Sequence, residues 1–126
     1  MDKQPAYDMS KCVAWGLSAG GYYAIRLAHT HADRLAGCVG QGAGTHHYLG
    51  REWLSRVDDH EYPFSLLKAM VQKYDFKNVE DLMENAQKKF SLVEDGTVHK
   101  KSCRLLLVNG TLDGLCLLYT SPSPRD

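Results

Sequence analysis

A serine between two glycines, placed where an apolar run gives way to a helical pattern, constrains this chain more than any other feature. Residues 16–20 read Gly-Leu-Ser-Ala-Gly, with Ser18 at the centre. The preceding run, residues 11–15, is short and apolar and contains valine and tryptophan, which is typical of a buried strand. From Gly21 onwards the apolar residues recur with a period near 3.6, which predicts a helix. The backbone must therefore turn sharply at Ser18.

The sharp turn gives Ser18 a defined chemical environment. We expect Gly16 and Gly20 to be required, because so tight a turn leaves no room for a side chain on either side of the serine. The turn would place the Ser18 hydroxyl at the head of a helix, where backbone N–H groups and the helix dipole favour a developing oxyanion. The alternative is an ordinary strand-to-helix turn whose serine caps the helix.

Charge and composition exclude several classes of partner. The 126 residues carry 15 basic and 15 acidic side chains, a balance that predicts one small globular unit without a surface for nucleic acid. The chain has neither an apolar stretch long enough for a bilayer nor the apolar core of a signal peptide, so we expect no membrane partner and a cytoplasmic location. The four cysteines form no Cys-x-x-Cys pair, so we expect no metal, no cofactor and a reducing compartment.

Two further apolar runs predict a parallel sheet. Residues 35–40 and 103–109 are both expected to be buried strands, and the second is the clearest strand in the sequence. A glycine-rich loop, residues 41–48, follows the first of them and contains His46 and His47. Ligands bind beside the carboxyl ends of strands in open parallel sheets, so both histidines are candidates for contact with substrate. The sequence therefore predicts an α/β fold.

A helical block, residues 50–100, interrupts this alternation of strands and helices. A short helix is predicted from Arg51, and Ser65 and Asn78 are the predicted N-caps of two longer helices. The block could cover the site as a cap, or it could consist of peripheral helices. The sequence favours neither interpretation.

Asp113 follows the third predicted strand in a glycine-rich turn. An aspartate at that place, after the serine in chain order, is a candidate for the acid of a Ser-Asp-His triad. The alternative is a turn aspartate that bonds its own backbone. No histidine follows His99, so the triad as written lacks its base. Four histidines are expected at the protein surface: His29, His31, His60 and His99.

The last segment, residues 116–126, departs from everything before it. It contains Ser-Pro-Ser-Pro, which cannot continue a helix. The segment resembles the translation of one frame of a transposon-type sequencing adaptor, so we treat it as non-native and exclude it from the reasoning on fold. A natural Ser/Pro-rich tail is the alternative.

Three segments of the chain resemble the α/β-hydrolase superfamily. Within it they are similar to fungal polyketide-shortening hydrolases of melanin-type pigment pathways, to relatives in fusarin-type clusters, and to fermentation–respiration switch esterases. The segments are residues 14–24, 34–37 and 105–111. The resemblance implies that residues 1–115 form the central and C-terminal portion of an α/β-hydrolase domain. The strands that normally precede the serine turn would then be missing.

The resemblance also implies roles for individual residues. Ser18 matches the nucleophile, the N–H of Ala19 one oxyanion donor, and Asp113 the acid. The second oxyanion donor and the histidine have no counterpart. The full-length enzyme would cleave an ester or carbon–carbon bond of a small polyketide-like substrate through an acyl-enzyme, with a homodimer as one candidate assembly. This chain is expected to be nearly inactive.

Two other interpretations stay open. Prolyl-oligopeptidase-like serine peptidases also carry a Gly-x-Ser-x-Gly-Gly turn, so the chain could be a fragment of one. It could also be a degenerate fragment that folds poorly and performs no chemistry. With the preceding strands missing, the strand at 11–15 is expected to present an unpaired edge, which favours aggregation.

Overall fold

A computed structural model describes residues 6–59 and 62–111 as a three-stranded parallel sheet with helices. The strands are β1 (Val13–Leu17), β2 (Gly37–Gln41) and β3 (Arg104–Val108), and they lie side by side in that order. The helices are α1 (Ala19–Thr30), α2 (Arg51–Leu54), α3 (Leu66–Lys73) and α4 (Val79–Phe90). The predicted α/β fold is confirmed.

The register of the sheet brings the carboxyl ends of the three strands to one edge. Leu17 at the end of β1 pairs with Gln41 of β2, and Gln41 pairs with Val108 of β3. Helix α1 follows β1 and packs against β1 and β2. Ser18, the single residue between β1 and α1, therefore lies at the edge where ligands bind in parallel sheets.

The described elements cover the sheet on one face only. Cys38 and Gly40 of β2 are buried on that face, whereas Trp15 of β1 is 71% exposed and Leu106 of β3 is 57% exposed on the other. The expectation of fully buried strands is therefore wrong for β1 and β3 among the described residues. An apolar run shows that a strand can be buried, but it does not show which faces other elements cover. Among the described strands, β1 lies at an edge of the sheet and pairs only with β2, as expected.

The helical block is capped as predicted and has a core of its own. The Ser65 hydroxyl accepts a hydrogen bond from the Lys68 N–H at 3.4 Å, and the Asn78 side chain accepts one from the Asp81 N–H at 2.8 Å. The buried members of this core are Leu54, Met70, Leu82 and Ala86. A second cluster lies between α1 and the sheet and contains Ile25, Ala43 and Leu92.

One histidine lies where the sequence did not predict it. His29 is only 7% exposed, and its Nδ1 lies 2.8 Å from the Lys100 carbonyl oxygen. The surface expectation is wrong here because the turn Thr97–His99 packs against α1. His31 and His99 are exposed as expected, and His60 lies outside the described residues.

Candidate functional site

The backbone of Ser18 is strained. Its φ of 54° and ψ of −119° lie in a region that side-chain-bearing residues rarely adopt. Such a conformation costs about 1–3 kcal/mol, so the surrounding structure must impose it. Two hydrogen bonds hold the turn: the Ser18 N–H donates to the Gln41 carbonyl at 2.8 Å, and the Tyr22 N–H donates to the Ser18 carbonyl at 3.2 Å. The turn is thereby fixed both to β2 and to α1.

The Ser18 hydroxyl does not cap the helix. Ser18 occupies the N-cap position of α1, but its side chain makes no capping hydrogen bond. The N-caps of α3 and α4, Ser65 and Asn78, both make one. Ser18 is exposed and lines a cavity. The geometry therefore does not support the capping interpretation and leaves the hydroxyl free for chemistry.

The glycines around Ser18 have unequal roles. A Cβ on Gly16 would lie 1.8 Å from the Gly20 carbonyl oxygen, so the requirement for glycine at position 16 is confirmed. Outside its own helix, a Cβ on Gly20 would meet no atom of the described residues within 4 Å, so the same steric expectation for Gly20 is wrong there. The close approach runs from the Cα of Gly16 to the carbonyl of Gly20, and a side chain on Gly20 would point into open space. Gly21 is the second required glycine, because its Cβ would lie 2.8 Å from the Cβ of Ala43.

The start of α1 supplies hydrogen-bond donors next to Ser18. The first backbone bond of the helix is donated by Tyr22, so the N–H groups of Ala19, Gly20 and Gly21 precede it. N–H groups in the first turn have no acceptor within the helix and carry its positive dipole end. Ala19 also lines the cavity. Its role as an oxyanion donor stays a prediction that this geometry suits.

Ser18 opens onto a cavity of about 610 Å³. The sheet edge, α1, the loop after β2 and the helical block all contribute to its walls. Its described lining residues include Leu17, Ser18, Ala19, Tyr22, Tyr23, Arg26, Gln41, Gly42, Gly44, Tyr48, Leu49, Tyr62, Met70, Tyr74, Phe90, Val108 and Gly110. Because Met70 and Tyr74 from the helical block line the same cavity as Ser18, the cap interpretation is favoured over peripheral helices.

Tyrosines dominate the cavity wall, and sequence reasoning missed them. The Tyr22 hydroxyl donates to the Phe90 carbonyl at 2.6 Å, and the hydroxyls of Tyr48 and Tyr62 lie 3.1 Å apart. Burial raises the pKa of both Tyr22 and Tyr74, so at neutral pH neither serves as a base. The spacing of four residues from Ser18 to Tyr22 places both on one helix face, a signal that was available in the sequence.

His46 has a structural partner outside the cavity. Its Nδ1 lies 2.7 Å from the Ser91 hydroxyl oxygen, which itself accepts hydrogen bonds from the N–H groups of Val93 and Glu94. Because that oxygen accepts two bonds, its own proton is available for Nδ1, an arrangement that a neutral His46 ring allows. Burial lowers the pKa of His46, which agrees with this state. Neither His46 nor His47 is among the residues that line the cavity, so contact with substrate stays an unsupported prediction.

The predicted acid cannot be placed from the described residues. Strand β3 leads to the cavity, which Val108 and Gly110 line. Asp113 lies outside the described residues, so its role stays a prediction. The described lining of the cavity contains no histidine.

Neither protein-family models nor curated proteins give a match to this chain. Among the described helices, none is long and apolar enough to cross a membrane. Within residues 6–59 and 62–111, no group of three or more histidine, cysteine or acidic side chains could hold a metal ion.

Proposed function

We propose that Ser18 is the nucleophile of an acyl-transfer site in a fragment of a serine hydrolase of the α/β-hydrolase type. One observation carries this proposal: Ser18 keeps a strained backbone while its hydroxyl, which caps nothing, lines a cavity at the head of α1. Strain at a side-chain-bearing residue persists where function needs it. The strained turn would orient the Ser18 hydroxyl towards the carbonyl group of a bound substrate.

The chemistry follows from the position of Ser18. Its Oγ attacks the carbonyl carbon of an ester, and the carbonyl oxygen becomes an oxyanion. The N–H of Ala19 and the positive end of α1 stabilise that charge. When the intermediate collapses, the alcohol leaves with the proton that Ser18 lost, and water then cleaves the acyl-serine bond. An activated carbon–carbon bond would be cleaved by the same sequence, with an enolate as the leaving group.

The cavity supports a small-molecule substrate with an apolar or aromatic acyl part. About 610 Å³ suits a ligand of moderate size, and tyrosine rings form much of the wall. A polyketide-like compound, the substrate class implied by the family resemblance, fits such a wall. The helical block would act as the cap that excludes water from it.

Slow turnover is part of the proposal. The serine hydroxyl is a poor nucleophile without a base, and the described lining of the cavity offers no histidine. The loss of one triad member leaves a residual catalysis of about 10³–10⁴-fold over water. Covalent acylation of Ser18 is therefore the informative measurement.

The experiment exposes the full chain to p-nitrophenyl acetate, with and without added imidazole as an external base, and follows protein mass. We expect one acetyl group per chain, mapped to Ser18 by peptide analysis and formed faster with imidazole. In the arm without imidazole, nitrophenol release should slow sharply after about one equivalent, because hydrolysis of the acyl-serine bond lacks a base as well.

Two variants control the experiment. Ser18→Ala should lose the adduct, whereas Ser65→Ala, which removes a serine whose hydroxyl caps α3, should acylate like the parent. Acylation spread over several residues, or unchanged in Ser18→Ala, would refute the role of Ser18. Sustained turnover that Ser18→Ala abolishes would support the nucleophile but contradict the expected near-inactivity.

A further inference from the structure

Arg26 is the single charged side chain among the described residues that line the cavity. Tyr22 and Arg26 are four residues apart and lie on one face of α1, and Ser18 directly precedes the helix. Eight residues span about 12 Å along a helix axis. Arg26 therefore lines the cavity about two helical turns further along α1 than Ser18.

The contacts of Arg26 leave its guanidinium with donors to spare. Its Nη1 lies 4.0 Å from Oδ2 of Asp95, the outer limit of an ion pair, and the two side chains are 50% and 34% exposed. The other carboxylate oxygen of Asp95 accepts a hydrogen bond from the Thr97 N–H at 2.9 Å. Burial raises the pKa of Tyr22, and the neighbouring Arg26 guanidinium acts in the opposite direction. Arg26 thus lies beside Tyr22 and makes only a loose contact with Asp95.

We propose that Arg26 binds a carboxylate at the far end of the acyl group, so that the site takes esters whose acyl chain ends in an acid. This proposal rests on the proposed role of Ser18, which fixes the reacting carbonyl at the other end. The planar guanidinium fork matches a carboxylate in two parallel hydrogen bonds. A neutral acyl chain would leave the cation facing tyrosine rings without an anion from the ligand.

The test measures dissociation constants by calorimetry for the full chain. The probes are half-methyl esters of straight-chain dicarboxylic acids, from succinate to sebacate, each compared with its dimethyl ester. At the length that spans Ser18 to Arg26, we expect the half-ester to bind about tenfold more tightly, the gain from a charge-assisted hydrogen bond at a half-exposed site. Arg26→Gln should remove this preference. Arg56→Gln, which changes an exposed arginine outside the cavity, should keep it.

A second variant separates binding from a purely structural role of Arg26. Asp95→Asn keeps an oxygen acceptor for the Thr97 N–H and removes the anion that competes for Arg26. We expect the half-ester to bind about twofold more tightly to this variant. If Arg26 only stabilised the fold through Asp95, that substitution would weaken binding or leave it unchanged.

The outcomes distinguish this proposal from the role of Ser18. Equal affinity for half-ester and diester at every length, or a preference that survives in Arg26→Gln, would overturn the carboxylate subsite even if Ser18 is acylated. A preference that Ser18→Ala retains and Arg26→Gln loses would support the subsite even if no acylation of Ser18 is found.

Discussion

Adding one methyl group at Gly16 or at Gly20 should have opposite effects on stability. In Gly16→Ala the new Cβ would lie 1.8 Å from the carbonyl oxygen of Gly20, whereas ordinary contact begins at 3.4 Å. One backbone segment must therefore move by about 1.6 Å. Overpacking usually costs about 1–3 kcal/mol. Because backbone atoms cannot swing aside as a flexible side chain does, we expect a loss of about 3 kcal/mol in the free energy of unfolding.

Gly20→Ala adds the same methyl group to the first turn of α1, where no described atom outside the helix itself lies within 4 Å of it. Alanine is favoured over glycine in helices by up to about 1 kcal/mol. This variant should therefore be as stable as the parent or more stable. It should also acylate at Ser18 at the parent rate, because the turn is unchanged.

Urea unfolding followed by circular dichroism measures both variants, and acylation by p-nitrophenyl acetate reports on the turn itself. Gly16→Ala and Gly20→Ala each add one methyl group, so a difference between their free energies of unfolding reflects the surroundings of the two positions. Equal destabilisation by the two substitutions, or a stable and reactive Gly16→Ala, would refute the reasoning about this turn.

Three further comparisons use the same unfolding assay. Burial lowers the pKa of His46 in the folded state. The contribution of His46 to stability is therefore full above the unfolded pKa of about 6.5 and falls as the pH drops below that value. In His46→Gln the unfolding midpoint should depend less on pH over that range. Trp15→Gln, on the open sheet face, should cost less than about 1 kcal/mol and reduce self-association in sedimentation, whereas Ile25→Ala should cost about 2–5 kcal/mol. Ser65→Ala should lose about 1 kcal/mol with its capping bond, whereas Ser18→Ala should change stability by less than about 0.5 kcal/mol.

The helices could be predicted from local signals. Ser65 and Asn78 lie before apolar periodic segments, and their side chains make the capping bonds that this position favours. The start of α2 at Arg51 and the turn from β1 to α1 at Ser18 were also predicted. These features depend on residues only a few positions apart, which is why the sequence displays them.

Features that depend on distant parts of the chain could not be predicted. The covered face of β1 is set by α1, and the burial of His29 by the turn Thr97–His99. The sequence alone suggested glycine at positions 16 and 20, but the second close approach is made by Gly21 against Ala43. Local patterns carry no information about such contacts.

The residues that line the cavity could also be predicted only in part from the sequence. Tyr62 and Tyr74 come from segments that give no sign of facing Ser18, and they line its cavity only because the helical block folds over the sheet edge. Tyr48 belongs to the loop that the sequence placed at that edge, but only its histidines were identified as candidates there. Tyr22 was within reach of prediction because its spacing from Ser18 is helical. His46 and His47 were predicted from their loop, but the bond between His46 and Ser91 directs that ring elsewhere.

The relative rate at which a fluorophosphonate modifies Ser18 and Ser65 in the same chain tests the central claim most directly. Both serines are N-caps, but only Ser65 uses its hydroxyl to cap. Quantitative peptide mass spectrometry gives the ratio of the two rates. Our account predicts that Ser18 is modified at least about tenfold faster, with the ratio increasing when imidazole is added. Equal modification of the two serines would contradict it.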